Sequence, residues 1–414
     1  MHNNSIRSLL KIPGYKIKEI INKTDTYIDI RIEAYKRNHG ICSGCGKKHG
    51  GLHSGQEMVA EDVRLGERRV FLYISKRRYR CISDGRIHTE QIEWIELGAR
   101  VTKAFGKQVN RLTSITTNQE AGWFLGLNDE KIYRIDKAIL ERLFRKWLIP
   151  TPVSMNISVD EVAWKKHHRY LTNVIDTDNK VLTWNEKGRK AEVLNKYYES
   201  LGIEQCEKIK SVAMDGAKTY ISSTNKYAVN ALIVLDRFHA TQKANNAADQ
   251  VRRDELSKAR KNEDEELVEL ANCKQRFILL KRKNKLSEKQ STTLARLCEI
   301  NQPIYKALLL KESFLQTYFL STAEEAKKHL QEWIEQALLS ELKPFIELAH
   351  SVAEKVQYII NWFTKKISSA ISEGFNNKIK RLKRMAYGYR DVEYFKLKIH
   401  QHCGYLNPRK FQLN

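Results

Sequence analysis

Asn156-Ile157-Ser158-Val159-Asp160-Glu161-Val162-Ala163-Trp164 decides how the rest of the 414-residue chain is read. Apolar residues at 157, 159, 162 and 164 bracket two acids, and the polar Lys165-Lys166-His167-His168 closes the segment. The pattern predicts a short strand that carries Asp160 towards its end. A carboxylate delivered by a strand interior is costly to bury without a partner. Taken alone, Asp160 reads as a solvated strand end. Side chains alternate along a strand, so Glu161 points to the opposite face and is the weaker candidate.

Downstream, His168–Asp176 and Val181–Trp184 read as two strands joined by an Asp178-Asn179 turn and predict an antiparallel hairpin. Leu194, Tyr197, Tyr198 and Leu201 give helical spacing over 191–201. Lys210–Gly216 reads as a fourth strand ending in Asp215, and 217–226 as a helix. Ala231–Asp236 reads as a fifth strand, followed by a helix from about His239 to Asp254. Three antiparallel strands followed by alternating strands and helices is the order of a ribonuclease H-like α/β domain, here 151–254. In that order the first and fourth strands are neighbours, so Asp160 and Asp215 can share a metal pair. Asp236 also ends an apolar strand, but its neighbours Arg237 and His239 suggest an ion pair, and the fourth-strand position favours Asp215.

Residues 255–364 show helical patterning and no strand, and are read as a helical insertion. Its acidic block Glu263–Glu266 reads as a solvated face, and its basic block Lys281–Lys285 as a candidate DNA contact. Residues 365–414 then supply the final helix of the catalytic core and a tail. From Lys365 to Met385, Ile371, Phe375, Ile379 and Leu382 form one face, and Glu373, Asn377, Lys380 and Arg384 another. Seven Lys or Arg accompany a single acid, Glu373, between 365 and 384.

Upstream, residues 1–97 read as a zinc-ribbon-like segment. A strand is expected within 14–35, where Ile28, Ile30 and Ile32 alternate with polar residues, and another over 68–80, with a linker between. Cys42-x-x-Cys45, flanked by glycines, is a metal knuckle, and Cys81 ends the second strand. A second knuckle would have a cysteine at 84, where this chain has Asp84; His88 is the other donor, so zinc is expected on Cys42, Cys45, Cys81 and either Asp84 or His88. Residues 98–150 read as three helical pieces, 101–112, 118–125 and a run from Asn128-Asp129 to Trp147. They fit a helix-turn-helix in which Lys131, Arg134 and Lys137 would contact DNA. Pro150 and Pro152 mark the boundary to the next domain.

Lys and Arg number 73 against 49 Asp and Glu, a formal charge of +24, which suits a polyanionic partner because neutralising phosphates releases counterions. No run of 18 apolar residues and no signal-peptide pattern occurs, so no membrane association and a bacterial cytosolic or nucleoid location are expected. In such a compartment seven cysteines do not make a disulfide framework, and Cys206, Cys273, Cys298 and Cys403 read as ordinary residues.

Three carboxylates on one sheet-and-helix layer suit two Mg²⁺ or Mn²⁺ ions roughly 4 Å apart, which activate an attacking oxygen and stabilise the leaving one in phosphodiester displacement. The chain resembles the ISL3 family of insertion-sequence transposases. The resemblance is carried by Cys42-x-x-Cys45, Val159-Asp160-Glu161, Met214-Asp215-Gly216, Asp236-Arg237-Phe238-His239, Glu373-Gly374-Phe375-Asn376-Asn377-Lys378-Ile379-Lys380 and Tyr387-Gly388-Tyr389-Arg390. It implies a DDE catalytic domain with Asp160, Asp215 and Glu373 as its triad, acting on the terminal inverted repeats of a mobile element in double-stranded DNA. Lys378, Lys380, Arg381, Lys383 and Arg384 are expected to steady phosphates, and a homo-oligomer is expected on DNA because two ends must be held together. Two rivals fit the same residues: a catalytically inactive DNA-binding derivative of a transposase, and a structure-selective nuclease of the same fold.

Overall fold

Alternating isoleucines build the first sheet. The computed structural model describes residues 10, 12–48, 52–147, 154–165, 169–272, 275–281, 285–364 and 370–408. These fall into two units, Met1–Ile149 with Leu382–Asn414, and Pro150–Arg381. Residues 282–284 of the basic block, the boundary prolines Pro150 and Pro152, and 365–369 of the expected final helix lie outside the described residues.

In the first unit, β1 (Tyr15–Lys23) and β2 (Tyr27–Ala34) form an antiparallel hairpin, so the alternation over 14–35 is two strands and not one. β2 pairs in parallel with β5 (Arg68–Arg80), and Ile28, Ile30 and Ile32 are buried with Val70, Leu72 and Ile74. β3 (Ile41–Cys42) pairs with β6 (Ile87–Gln91), which in turn pairs with β5. The expected linker is a strand: β4 (Leu52–Leu65) runs antiparallel to β5 along most of its length. The consecutive acids Glu61 and Asp62 hid it. Both are buried; Glu61 holds Arg69 at 2.8 Å and Lys131 at 2.6 Å, and Asp62 accepts from Thr102. Paired in this way, the acids do not carry the burial cost that their sequence implies.

Three helices follow: α1 (Lys103–Thr113), α2 (Asn118–Leu125) and α3 (Asp129–Trp147). Thr102 caps α1, and Thr117 with Glu120 forms a reciprocal capping box on α2, satisfying N–H groups that a helix start leaves unpaired. The C-terminal helix Val392–Cys403 packs on this bundle through Tyr394 and Leu397, so the end of the chain belongs with the N-terminal unit by its contacts. A buried carboxylate, Asp136, organises that packing. It accepts from Asn110 (2.9 Å), Thr113 (2.7 Å) and Tyr394 (2.7 Å), and pairs with the buried Lys398 at 3.2 Å.

The second unit is built on a five-stranded sheet. β7 (Asn156–Lys165), β8 (Arg169–Asp176) and β9 (Val181–Lys187) are antiparallel neighbours. β10 (Ser211–Met214) pairs in parallel with β7, and β11 (Leu232–Leu235) in parallel with β10, giving the order β11-β10-β7-β8-β9. The amphipathic α4 (Ala191–Leu201) and α5 (Lys218–Tyr227) cover one face, burying Leu194, Tyr197, Tyr198 and Tyr220 against Ile157, Val159 and Val212. α6 (Arg237–Lys261) follows β11, and helices from Glu265 to Thr364 gather with it around Phe314, Trp333 and Phe345. The insertion closes on the sheet where Asn361 donates to the Ile233 carbonyl at 2.7 Å. Its acidic block is exposed, with Asp264 capping the helix Glu265–Leu270.

Candidate active site

Parallel pairing aligns acids that are far apart in sequence. Ser211, Val212 and Ala213 sit opposite Asn156, Ile157 and Ser158, so two residues further on Asp215 comes level with Asp160. Met214 sits opposite Leu235, so Asp236 comes level with Asp215. Three aspartates therefore stand in one row across three adjacent strands, at a spacing of roughly 4.8 Å per strand. Asp215 and Asp236 directly follow β10 and β11, whereas Asp160 sits in the middle of β7, because pairing with β8 continues past it, and not towards the strand end that its sequence suggests. Asp160 lies on the face opposite Val159 and the tyrosine-rich helices. Glu161 is on their side, where Tyr220 donates to its carboxylate at 2.8 Å.

Each aspartate is held in a different way. Asp160, 16% exposed, accepts from the Glu161 N–H through Oδ1 and from the Asn376 side-chain amide through Oδ2, both at 2.7 Å. Asp215 accepts from the Ala217 N–H at 2.9 Å, a tight turn made by Gly216 at φ +82°. A Cβ at Gly216 would lie 2.3 Å from Leu235 Cδ2, so the strand end admits only glycine in this form. Asp236, 5% exposed, caps α6 through the Phe238 N–H at 2.8 Å. His239 stands between carboxylates, 3.4 Å from Asp236 and 4.0 Å from Asp160.

The electrostatics follow from this crowding. Burial, and then the charges of Asp215 and Asp236, push the Asp160 carboxyl above its usual range, against the Glu161 N–H and His239. Burial also raises Glu161, with Asp215 and Asp160 adding to it against the Tyr220 hydrogen bond. A half-buried group of like charges and oxygen donors is a site for a hard divalent cation, which such carboxylates bind and which relieves their repulsion.

Glu373 is exposed on the first turn of the final helix Ala370–Met385. That helix meets β7 through Ser372 and Ser158, whose hydroxyls are 2.6 Å apart, and through Asn376 on Asp160. Glu373 is thus one residue from one contact and three from the other. The ligand atoms of Asp160, Asp215 and Glu373 do not all come within 4.8 Å of one another; among the described residues only Cys42, Cys45 and Cys81, and Cys81, Asp84 and His88, reach that closeness. The amide that matters is Asn376 and not Asn377: Asn376 is buried beside Phe375, whereas Asn377 is exposed.

The basic residues divide. Lys378, Lys380, Arg381 and Arg384 are exposed and Lys383 half-buried, all on the helix that carries Glu373. In the first unit, Lys131 is tied to Glu61 at 2.6 Å and Lys137 to Asp391 at 2.7 Å, while Arg134 is exposed beside Glu130 at 3.8 Å. Arg237 is enclosed by the rings of Tyr318, Phe319 and Trp362, within 4.7 to 5.6 Å of their centres, and is a packing residue. Two cations escaped the sequence reading. Lys243 of α6 and Lys355 line a small cavity with Asp215 and Ser351. Burial, and then the Lys243 charge, pull Lys355 below the usual lysine range.

Comparison with known proteins gives this arrangement its context. A family model described as a transposase, of the ISL3 type, matches residues 157–399, and one described as the zinc-finger of transposase IS204/IS1001/IS1096/IS1165 matches 39–83. The chain is 28% identical over 361 residues to the transposase for insertion sequence element IS1001 of Bordetella parapertussis, covering 87% of each. It is 31% identical over 257 residues to the transposase for insertion sequence element IS1557 of Mycobacterium tuberculosis, covering 57% of each. Among the described residues no helix is long and apolar enough to cross a membrane. With well over half of its length matched by the transposase model, the chain belongs to the ISL3 family of insertion-sequence transposases.

Proposed function

We propose that this transposase binds the terminal inverted repeats of its element as double-stranded DNA, and that Asp160, Asp215 and Glu373 form its active site for cleavage and strand transfer. The observation that carries the proposal is the parallel register that brings Asp215 level with Asp160, where burial, and after it the like charges, raises the Asp160 carboxyl. The sheet order, with three antiparallel strands beside two parallel ones, supports a ribonuclease H-like fold. The α1–α3 bundle supports a helix-turn-helix, and of its three expected DNA contacts Arg134 is the exposed one.

Asp160 and Asp215 would hold divalent ions, Mg²⁺ or Mn²⁺, as a pair, with Glu373 closing the site by rotating its three-bond side chain. Bound there, the ions would supply Lewis-acid polarisation of the scissile phosphate and a more acidic attacking hydroxyl. Asn376 fixes the Asp160 carboxylate through one oxygen, while the Glu161 N–H fixes the other. Asp236 is the weaker second acid, because its oxygens already cap α6 and face His239. Lys378, Lys380, Arg381, Lys383 and Arg384 would steady the phosphates, with Lys243 and Lys355 doing so beside Asp215. A homo-oligomer would hold the two element ends together.

The test is Asp160→Asn in a strand-transfer assay on an inverted-repeat substrate with Mg²⁺ or Mn²⁺. Strand transfer is expected to vanish while end binding in a gel-shift assay persists. Undiminished transfer would remove Asp160 from the chemistry.

A further inference from the structure

Two turns in the first unit are copies of one another, and only one of them has its cysteine pair. In Cys42-Ser43-Gly44-Cys45-Gly46-Lys47, the Gly46 N–H donates to the Cys42 carbonyl at 2.9 Å and the Cys42 N–H to the Lys47 carbonyl at 2.9 Å. In Cys81-Ile82-Ser83-Asp84-Gly85-Arg86, the Gly85 N–H donates to the Cys81 carbonyl at 2.8 Å and the Cys81 N–H to the Arg86 carbonyl at 2.7 Å. Gly46 and Gly85 take the same left-handed backbone, φ +70° and +69°. Asp84 therefore occupies the position that Cys45 fills in the first knuckle. The zinc-finger match ends at residue 83, one short of it.

The thiols of Cys42, Cys45 and Cys81 lie within 4.8 Å of one another. Sulfurs arranged tetrahedrally around zinc at ~2.3 Å stand roughly 3.8 Å apart, so the cluster fits the ion with one corner open. Two further donors lie beside Cys81. Cys81, Asp84 and His88 also lie within 4.8 Å of one another, and His88 Nε2 is 2.7 Å from an Asp84 oxygen. His88 comes from β6, the strand that pairs with both knuckle-bearing strands, and its ring rests on the first knuckle itself. A Cβ placed on Gly44 would meet His88 Nε2 and Cδ2 at 2.8 Å. The imidazole edge thus lies against Gly44, in the middle of the first knuckle, while its nitrogen is grouped with Cys81 and Asp84.

We propose that His88 is the fourth zinc ligand, giving a Cys₃His site of Cys42, Cys45, Cys81 and His88, and that Asp84 is a turn residue, accepting from the Arg86 N–H at 3.0 Å, and not a ligand. Structural zinc sites are built from thiolates and imidazoles, whereas carboxylates are characteristic of catalytic sites that keep a position open. The side-chain exposures agree, 27% for His88 against 41% for Asp84. On binding, the three thiol protons leave, and Nε2 gives up any proton it shares with Asp84 so that its lone pair faces the ion. The proposal rests on the reading of residues 39–83 as a zinc site, and the two can fail separately.

The experiment is titration of the full-length, metal-stripped protein with Co²⁺, whose thiolate charge-transfer absorption scales with the number of sulfurs bound. Wild type is expected to take one Co²⁺ per chain with the intensity of three thiolates. His88→Cys should raise that intensity by about a third, because a fourth sulfur joins a tetrahedral site. Asp84→Ala should leave the band positions unchanged and the affinity within about tenfold, the low end of what an outer-shell partner contributes. A His88→Cys spectrum no stronger than wild type, or loss of metal on Asp84→Ala, would overturn the assignment of His88. Absence of Co²⁺ binding by the wild type would overturn the zinc reading beneath it. Because His88→Cys is read as a gain, misfolding cannot imitate the expected result.

Discussion

Replacing Asp215 with Asn should make the metal-free protein more stable while removing its response to Mg²⁺. Asp215 uses a side-chain oxygen to accept from the Ala217 N–H, and Asn keeps an oxygen there, so the turn survives the change. What goes is one negative charge beside Asp160. Carboxylates about 5 Å apart on adjacent strands repel by about 3 kcal/mol at an effective dielectric of about 20. The attraction of Asp215 to Lys243 and Lys355, which is lost with the same charge, offsets part of that, leaving about 1.5 kcal/mol to be released. For a unit of about 230 residues this corresponds to a rise in Tm of about 3–6 °C. Mg²⁺ at 10 mM, with a Kd of about 1 mM, would stabilise the wild type by about 1.4 kcal/mol and the variant hardly at all. Differential scanning fluorimetry in EDTA and then in Mg²⁺ reads both. A variant with Tm in EDTA at or below wild type, or one that Mg²⁺ stabilises as much as wild type, would refute the acidic-row argument.

Asn376→Ala should lower cleavage at least about tenfold with end binding unchanged, since it removes the amide that orients Asp160 without touching the basic face; single-turnover nicking and gel shifts distinguish the two. The raised Asp160 carboxyl sets a pH dependence. Its stabilising contribution is present below the ordinary aspartate value near ~4 and is lost as pH rises through its higher folded value. Metal-free stability should therefore fall with pH across that window while Mn²⁺ affinity rises, as followed by calorimetry; affinity independent of pH would contradict it. Gly216→Ala should cost about 2–3 kcal/mol in urea unfolding, because it combines a left-handed backbone with a clash on Leu235.

The sheet of the second unit was legible because its strands obey simple rules. β8 and β9 flank an Asp178-Asn179 turn, and β10 and β11 are short apolar runs each followed by one acid. Strand β4 was not, because Glu61 and Asp62 look like loop residues until Arg69, Lys131 and Thr102 are seen to satisfy them. The final helix showed its apolar face in Phe375, Ile379 and Leu382, all buried. It misled on the amide, since Asn376 and Asn377 both lie within a turn of Glu373 and only packing distinguishes them. Lys131 and Lys137 show the opposite limit: a cation on a helix face looks available for phosphate until a carboxylate from a distant segment claims it. Lys243 and Lys355 join Asp215 through tertiary packing alone, with no local pattern to announce them.

The insertion also acts on time. Asp160 and Asp215 are made early, but Ser372, Glu373 and Asn376 leave the ribosome only after a further 158 residues beyond Asp215. At about 5–20 residues per second that is a delay of roughly 8–30 s. During it the acidic row lacks both Asn376, which steadies Asp160, and the proposed third carboxylate. All three arrive on one helix, through one pair of contacts to β7. A chain that stops within the insertion therefore lacks both that helix and the C-terminal segment that completes the first unit around Asp136, so incomplete translation products have neither unit finished.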